Sequence, residues 1–432
     1  MISLYGNTAR LACVLALMMA AAGSGAEVWG QDLLWTQPEK VGMASDRLDR
    51  LSVVLDGYVK DDKLPGGVAL VARKGKIAYL KTFGQSDPEN GRPMEEDAIF
   101  RIASQTKAIV SVAVMLLQEE GKLLLSDPVG RHLPAFAETT VAEPAEDGSG
   151  GYEIVKARRP VTIHDLLTHT AGISYGGGPA RELWEEAGIT GWYFAHRDEP
   201  VRATVDRMAA LPFDAHPGER YLYGYSTDIL GAVVEQAGGQ PLNEFLRSRI
   251  FEPLEMQDTH FYLPESKNGR LAVVYSATGQ GQLEPAASPG GMVGQGAYVN
   301  GPRMSYSGGA GLLSTAMDYA SFLQMLLNGG ELNGKRILSR KSVELMTVNH
   351  LGDLPFRSGE GFGLGFYTIT DVGARGVPGS VGEYGWGGAY HSTYWVDPEE
   401  QLVVVYFTQL IPSGGLDDHG KLRALIYQAI TD

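Results

Sequence analysis

Ser104 and Lys107 lie three positions apart in IASQTKAIVSVAVMLL (102–117), and no other serine in the chain has a lysine three places on. At helical spacing such residues share a face, so a hydroxyl and an amine can meet there. The start of a helix also carries unpaired backbone N–H groups that can hold a developing oxyanion. Lys107 opens a run, Ala108 to Leu117, that is apolar around almost its whole circumference. An amine drawn into such an interior is desolvated, which favours its neutral form and makes it a usable base. The competing reading is a serine that merely caps the helix, with a lysine stretched to the surface. A core helix that begins with a lysine needs a better reason than that. The chemistry these two residues suit is nucleophilic attack by Ser104 with Lys107 as proton acceptor.

A second candidate nucleophile is Ser174, in Gly172-Ile173-Ser174-Tyr175-Gly176, which has the G-x-S-x-G form of a nucleophile elbow. That elbow needs a strand before the serine and a helix after it. Here the helical IHDLLTHT precedes and GGGPA follows, so Ser174 reads as a loop residue. No metal or cofactor is signalled. His164 and His169 are five apart, off a common helical face, and there is no HExxH.

The elements that must hold Ser104 and Lys107 belong to a chain of 432 residues, 44% hydrophobic and 20% charged, long enough for a large core. Residues 1–26 differ in kind. Arg10 is their only charge, an apolar stretch follows, and Ser24-Gly25-Ala26 supplies small residues for cleavage after Ala26. This is the layout of a secretory signal peptide, too short to span a bilayer, and it predicts an exported, periplasmic or secreted protein without a stable membrane anchor. The single cysteine, Cys13, falls inside that segment, so the mature chain has no thiol chemistry. Without Arg10, 35 basic residues face 51 acidic ones, a net charge of −16 that argues against nucleic acid or an anionic membrane as partner. Nothing in the chain sets an oligomeric state.

Periodicity predicts a capped helix over Ser45–Val59 and a hairpin of Val68–Ala72 with Ile77–Phe83. Residues 137–163 read as irregular. Helices follow at Thr162–Thr170, Asp228–Ala237, Pro241–Ile250 and Thr315–Leu327, then strands at Thr393–Val396 and Leu402–Thr408 and a helix from Leu416. Strands gather at both ends and helices in the middle. The expected architecture is therefore α/β, with one antiparallel sheet built from both termini, flanked by helices and interrupted by a mostly helical insertion. The mature chain is expected to form one catalytic domain, residues 27–432, with an α/β part of about 27–105 and 305–432 and a helical part of about 106–304.

The chain resembles the serine β-lactamase and penicillin-binding superfamily, in its class C-like branch, and most of all the carboxylesterases grouped as family VIII. The resemblance runs through IASQTK (102–107), DLLTHTAG (165–172), PGERYLYGYSTDILGAVVE (217–235), SGGAGLLSTAMD (307–318) and YGWGGAYHSTYWVDP (384–398). It implies that Ser104 is acylated with Lys107 as its partner. It also implies that Tyr223, placed between Pro217-Gly218 and a helix, is the tyrosine of the second motif. The asparagine position of that motif is Tyr225, expected to meet substrate. A literal Tyr298-Val299-Asn300 sits in a Gly-rich loop without a following helix and is set aside.

The third motif falls at Trp386-Gly387-Gly388, not at His350-Leu351-Gly352, which no strand follows. Gly387 and Gly388 would let substrate lie along the backbone, and the Ala389 N–H would join that of Ser104 as an oxyanion hole. The relatives' lysine that receives a penicillin carboxylate is replaced by Trp386, an apolar wall. The resemblance thus implies a serine hydrolase acting on small-molecule carboxylic esters through an acyl-enzyme. A β-lactamase, D-amino-acid peptidase or acyltransferase on the same fold is the alternative. A non-catalytic envelope binding protein fits less well, since it has no need of Ser104, Lys107 and Tyr223 together. His391 is expected to line the pocket or support it, and Trp184, Trp192 and the loop 173–200 to shape it.

Overall fold

Two strands of the sequence, GGVALVAR and LVVVYFT, are apolar at nearly every position, the pattern of strands covered on both faces. The computed structural model describes residues 33–145, 151–279 and 281–432, and the expected signal segment 1–26 lies outside them. Its main sheet has nine strands: β1 (Leu34–Trp35), β2 (Gly66–Arg73), β3 (Lys76–Asp87), β4 (Arg92–Pro93), β5 (Glu360–Phe362), β6 (Tyr367–Ile369), β7 (Tyr384–Gly388), β8 (Ser392–Asp397) and β9 (Leu402–Thr408). Their order is β1-β3-β2-β9-β8-β7-β6-β5, with β4 pairing β3.

The two ends of the chain meet where β2 pairs β9, from Arg73 opposite Leu402 to Gly67 opposite Thr408. All pairings in this sheet are antiparallel except β1 with β3, which is parallel. The expected mixed α/β class with a sheet drawn from both termini is the observed one.

Five helices pack on the sheet or position the site: α1 (Ser45–Lys60), α2 (Thr106–Glu119), α3 (Ser226–Gly238), α4 (Ala316–Leu327) and α5 (Asp418–Tyr427). Side chains alternate across a strand, so β2 and β9 each feed two cores. Ala69, Val71, Val404 and Tyr406 pack with Leu48, Leu51 and Leu55 of α1 and Leu422 and Ile426 of α5. Val68, Leu70, Val403, Val405 and Phe407 join the larger core with α2, α3 and α4. The result is helix, sheet, helix.

Local details depart from expectation. Ser45 is the first helical residue of α1, not its cap; its N–H donates to Glu39 Oε1 at 3.0 Å. Two stretches of the segment expected to be irregular are strands. Thr140–Pro144 and Tyr152–Lys156 form an antiparallel ribbon whose few apolar residues left no periodic signal. Thr162 does cap its helix, through a reciprocal pair with Asp165.

One short ribbon decides where the chemistry falls. Phe100–Arg101 pairs with Leu313–Ser314, which ties the segment entering α2 to the loop before α4 across more than two hundred residues of chain. Among the described residues no helix is long and apolar enough to cross a membrane.

Leu70 is fully buried at the middle of β2. Leu70→Ala should lower unfolding free energy by about 2–5 kcal/mol in a urea titration. A loss well below 1 kcal/mol would show that this face of the sheet is not tightly packed.

Candidate active site

The residues entering α2 leave extended structure through Ala103, which has a positive φ of 44° that non-glycine residues rarely adopt. Ser104 then sits in a short 3-10 turn, Ala103–Gln105, and α2 begins at Thr106. The turn is pinned on two sides: Tyr319 Oη of α4 donates to the Gln105 carbonyl at 3.0 Å, and the Leu312 N–H donates to Thr106 Oγ1 at 3.1 Å.

From the first turn of α2, Lys107 points back toward Ser104 and is buried. Its amine donates to the Gly309 carbonyl at 2.6 Å, to Tyr175 Oη at 3.1 Å, and lies 3.5 Å from Ser104 Oγ. It also stands 4.6 Å from the centre of the Tyr223 ring. A buried amine must find its hydrogen bonds in the protein, and this one does.

The Gly309 carbonyl is itself held in place. Asp228, in the first turn of α3, is fully buried and accepts from Ser307 Oγ at 2.6 Å and from the Gly309 N–H at 3.0 Å. Burial pushes its carboxyl up from the usual range, while the Ser307 hydrogen bond and the Lys107 charge oppose that. A Cβ at position 309 would stand 2.3 Å from Asp228 Oδ2, so the loop closes on this carboxylate only with glycine there. The segments STDILG and SGGAG meet at this point.

Tyr223 is placed by the segment DLLTHTAG. The Gly218 N–H donates to the Thr170 carbonyl at 2.7 Å and the Leu222 N–H to the His169 carbonyl at 2.8 Å. The His169 ring packs 4.7 Å from that of Tyr223. Burial, reinforced by the Lys107 charge, holds His169 well below the usual histidine range, so it is a neutral packing residue. On the other side Trp386 Nε1 donates to Tyr223 Oη at 3.1 Å.

Ser104, Tyr175, Trp192, Tyr223, Trp386, Gly387, Gly388 and Ala389 line one cleft of about 520 Å³. Strand β7 brings Trp386, Gly387 and Gly388 to its edge, and a Cβ on Gly388 would lie 2.6 Å from the Ile102 carbonyl. That contact sets Ala389 beside the turn that carries Ser104.

Tyr225 is a correction. It was expected to meet substrate, but it is fully buried, donates to the Gly191 carbonyl at 2.8 Å and stacks on Trp184 at 5.7 Å. Its side chain is a support behind Tyr175, whose ring it meets edge-on at 5.0 Å. Trp184 is likewise buried, so of the two tryptophans only Trp192 reaches the cleft. Tyr298 is buried and stands elsewhere, near Tyr193 and Arg101. Ser174 stays in a loop, where its Oγ accepts from the Gly177 N–H at 3.4 Å.

The residue that sequence reasoning missed is Tyr175, next to the discarded Ser174. Burial, with Tyr223 and Asp228 nearby, raises its hydroxyl well above the usual value, which keeps it a neutral phenol. The only signal was its place in GISYG, directly after DLLTHTAG, and that motif drew attention to the serine.

His391, with a positive φ of 62°, lines the cleft as well. Its Nε2 pairs with Asp418 Oδ1 at 2.7 Å, Tyr406 Oη donates to Asp418 Oδ2 at 2.8 Å, and the His419 ring stacks on it at 4.2 Å. His391, Asp418 and His419 are the one group among the described residues with metal-ligand types close together, their donor atoms within 4.8 Å. In this structure they bond to one another and brace the cleft wall.

The chain belongs to the Beta-lactamase family, which it matches over residues 51–428. It is 34% identical to Esterase EstB of Burkholderia gladioli over 384 residues, 84% of this chain and 91% of the esterase. It is 28% identical to the lovastatin esterase of Penicillium rubens over 389 residues, 84% of this chain and 92% of that one. Among solved structures, EstCE1, a hydrolase with promiscuous acyltransferase activity, superposes with a TM-score of 0.75 at 28% identity, covering 88% of this chain and 98% of EstCE1.

Gly388→Ala should force β7 away from the Ile102 carbonyl. It should slow fluorophosphonate labelling of Ser104 by roughly tenfold or more, since displacements of an ångström at such sites cost up to about 100-fold. Gly57→Ala, where a methyl meets nothing within 4 Å, should leave labelling unchanged. Equal rates for all three proteins would show that the β7 contact does not set the site.

Proposed function

We propose that this protein is a serine hydrolase that cleaves small carboxylic esters through a covalent acyl-enzyme on Ser104. The observation that carries this reading is the Lys107 amine lying 3.5 Å from Ser104 Oγ at the floor of the cleft. Lys107 takes the hydroxyl proton as Ser104 Oγ attacks the ester carbonyl. The N–H groups of Ser104 and Ala389 receive the oxyanion.

Tyr223 gives its hydroxyl proton to the departing alcohol and regains one from Lys107; the same two groups then take a proton from the water that attacks the acyl carbonyl and return it to Ser104 Oγ as the acid leaves. Tyr175 Oη and the Gly309 carbonyl aim the amine by accepting its hydrogen bonds. Trp386 steadies the Tyr223 hydroxyl and walls the pocket with an indole where a lactamase-like site would present a cation. The esterase relatives support the same substrate class. The layout of residues 1–26 supports export with cleavage after Ala26.

A fluorophosphonate should add covalently to the peptide containing Ser104, read by mass spectrometry, and Ser104→Ala should lose both labelling and turnover. Labelling on Ser174 would overturn the assignment. In parallel, short-chain p-nitrophenyl esters should exceed a chromogenic cephalosporin by orders of magnitude in kcat/KM. Comparable values would move the reading to a β-lactamase.

The proton relay separates three tyrosines. Tyr223→Phe should lower kcat by roughly 100- to 10,000-fold with little change in KM, the usual worth of general acid–base help. Tyr175→Phe should cost about tenfold, as loss of one hydrogen bond to a buried amine would. Tyr298→Phe should stay near wild type. Full turnover in Tyr223→Phe would rule out the relay.

A further inference from the structure

The cleft that holds Ser104 carries a second group of chemically able side chains, none of which enters the ester chemistry. His391 and His419 both line it, and Asp418 is bonded to His391. His391 comes from the turn that joins β7 to β8, and Asp418 and His419 from the first turn of α5. Each offers a donor atom within 4.8 Å of those of the other two.

Asp418 anchors the group. Its side chain is fully shielded from solvent, and among the described residues no lysine or arginine forms an ion pair with it. Its partners are His391 Nε2, 2.7 Å from Oδ1, and the Tyr406 hydroxyl, which donates to Oδ2 at 2.8 Å. A buried carboxylate calls for a positive charge, and a histidine supplies one only when protonated.

The His391 and His419 rings stack at 4.2 Å with their planes 15° apart. Two imidazolium rings at that distance would repel, so the pair suits the neutral form, whose free lone pair can bind a metal. His419 Nε2 lies 3.2 Å from the His391 carbonyl. A carbonyl only accepts, so Nε2 carries the proton and Nδ1 the lone pair. A ring N–H held by a backbone carbonyl is the usual outer support of a metal-bound histidine. The Tyr406 hydroxyl gives the carboxylate the same kind of support.

His391 also sits at a φ of 62°, where a side chain is strained and glycine is not. The Thr408 hydroxyl donates to its carbonyl at 2.8 Å and helps to hold that conformation. An imidazole in a place that glycine would fill with less strain points to a use for the imidazole.

We propose that His391, Asp418 and His419 bind one divalent transition-metal ion on the wall of the Ser104 cleft. The ion takes the place of the hydrogen shared by His391 Nε2 and Asp418 Oδ1, and the neutral His391 ring carries its proton on Nδ1 instead. Two imidazoles and one carboxylate suit zinc, cobalt, nickel or copper; magnesium and calcium favour oxygen ligands. The ion takes no part in ester cleavage. It ties the turn after Ala389 to α5 and supplies the charge that Asp418 lacks.

The test uses the full chain, stripped with a chelator, and needs no ester turnover. Calorimetric titration with Zn²⁺ should show one site per chain, Co²⁺ should give the visible absorption of a protein-bound ion, and Mg²⁺ should do neither. Zn²⁺ at 100 times its Kd should raise Tm by about 3 °C for a chain of this length. His419→Ala and His391→Gly should each weaken Zn²⁺ binding by about 100-fold or more. Tyr406→Phe, which removes only outer support, should weaken it by roughly 10- to 100-fold.

A loss of less than about tenfold in either folded histidine variant would place the ion elsewhere and overturn the site. Absence of Zn²⁺ binding in wild type, or equal binding of Mg²⁺, would reduce the three side chains to a brace. Glycine suits the backbone at position 391, so His391→Gly keeps the fold and decides alone if circular dichroism shows His419→Ala to be unfolded.

Discussion

Lys107 is carried into the interior by a helix that buries every residue from Thr106 to Leu117. An amine in such a place cannot be left without partners, because the desolvation of an unpaired polar group costs more than most single contacts return. Of its three hydrogen-bonding neighbours, Ser104 comes from its own turn, and Tyr175, from the loop after DLLTHTAG, and Gly309, from the loop before α4, come from distant parts of the chain. The demand of one buried amine therefore joins the sheet-bound and helical parts of the molecule at a single point.

Each partner is in turn fixed by something deeper. Asp228 holds the Gly309 loop from α3 by accepting from Ser307 Oγ and the Gly309 N–H, and Tyr225, stacked on Trp184, meets the Tyr175 ring edge-on from behind. The Tyr223 loop hangs on backbone bonds to His169 and Thr170. The strain at Ala103 persists because the flanking ribbon, Tyr319 and Leu312 over-determine that turn. Such a site is rigid before substrate arrives, which is the condition under which fixed dipoles favour a developing oxyanion.

The cleft wall has a different logic. Trp386 turns an apolar ring to the cleft, and its one polar atom is taken up by Tyr223. On its outer side the Arg357 guanidinium lies 5.1 Å from the centre of the same ring.

The spacing of Ser104 and Lys107, the apolar run behind them and the unbroken apolar runs of β2 and β9 follow local rules, so the sequence alone determined the candidate nucleophile, its candidate partner and a sheet covered on both faces. Tyr223 was legible from its place before α3, and the sheet from both termini was legible from where strands cluster.

Tyr175, Asp228 and Gly309 were not legible, because each acts through a contact more than sixty residues away in sequence. Nor was the withdrawal of Tyr225 into the core, since position beside a motif does not say which way a ring turns. Helical and strand periods act within a few residues and can be read along the chain. Which distant loop satisfies a buried amine is decided by how the layers pack, and only the tertiary structure contains that packing.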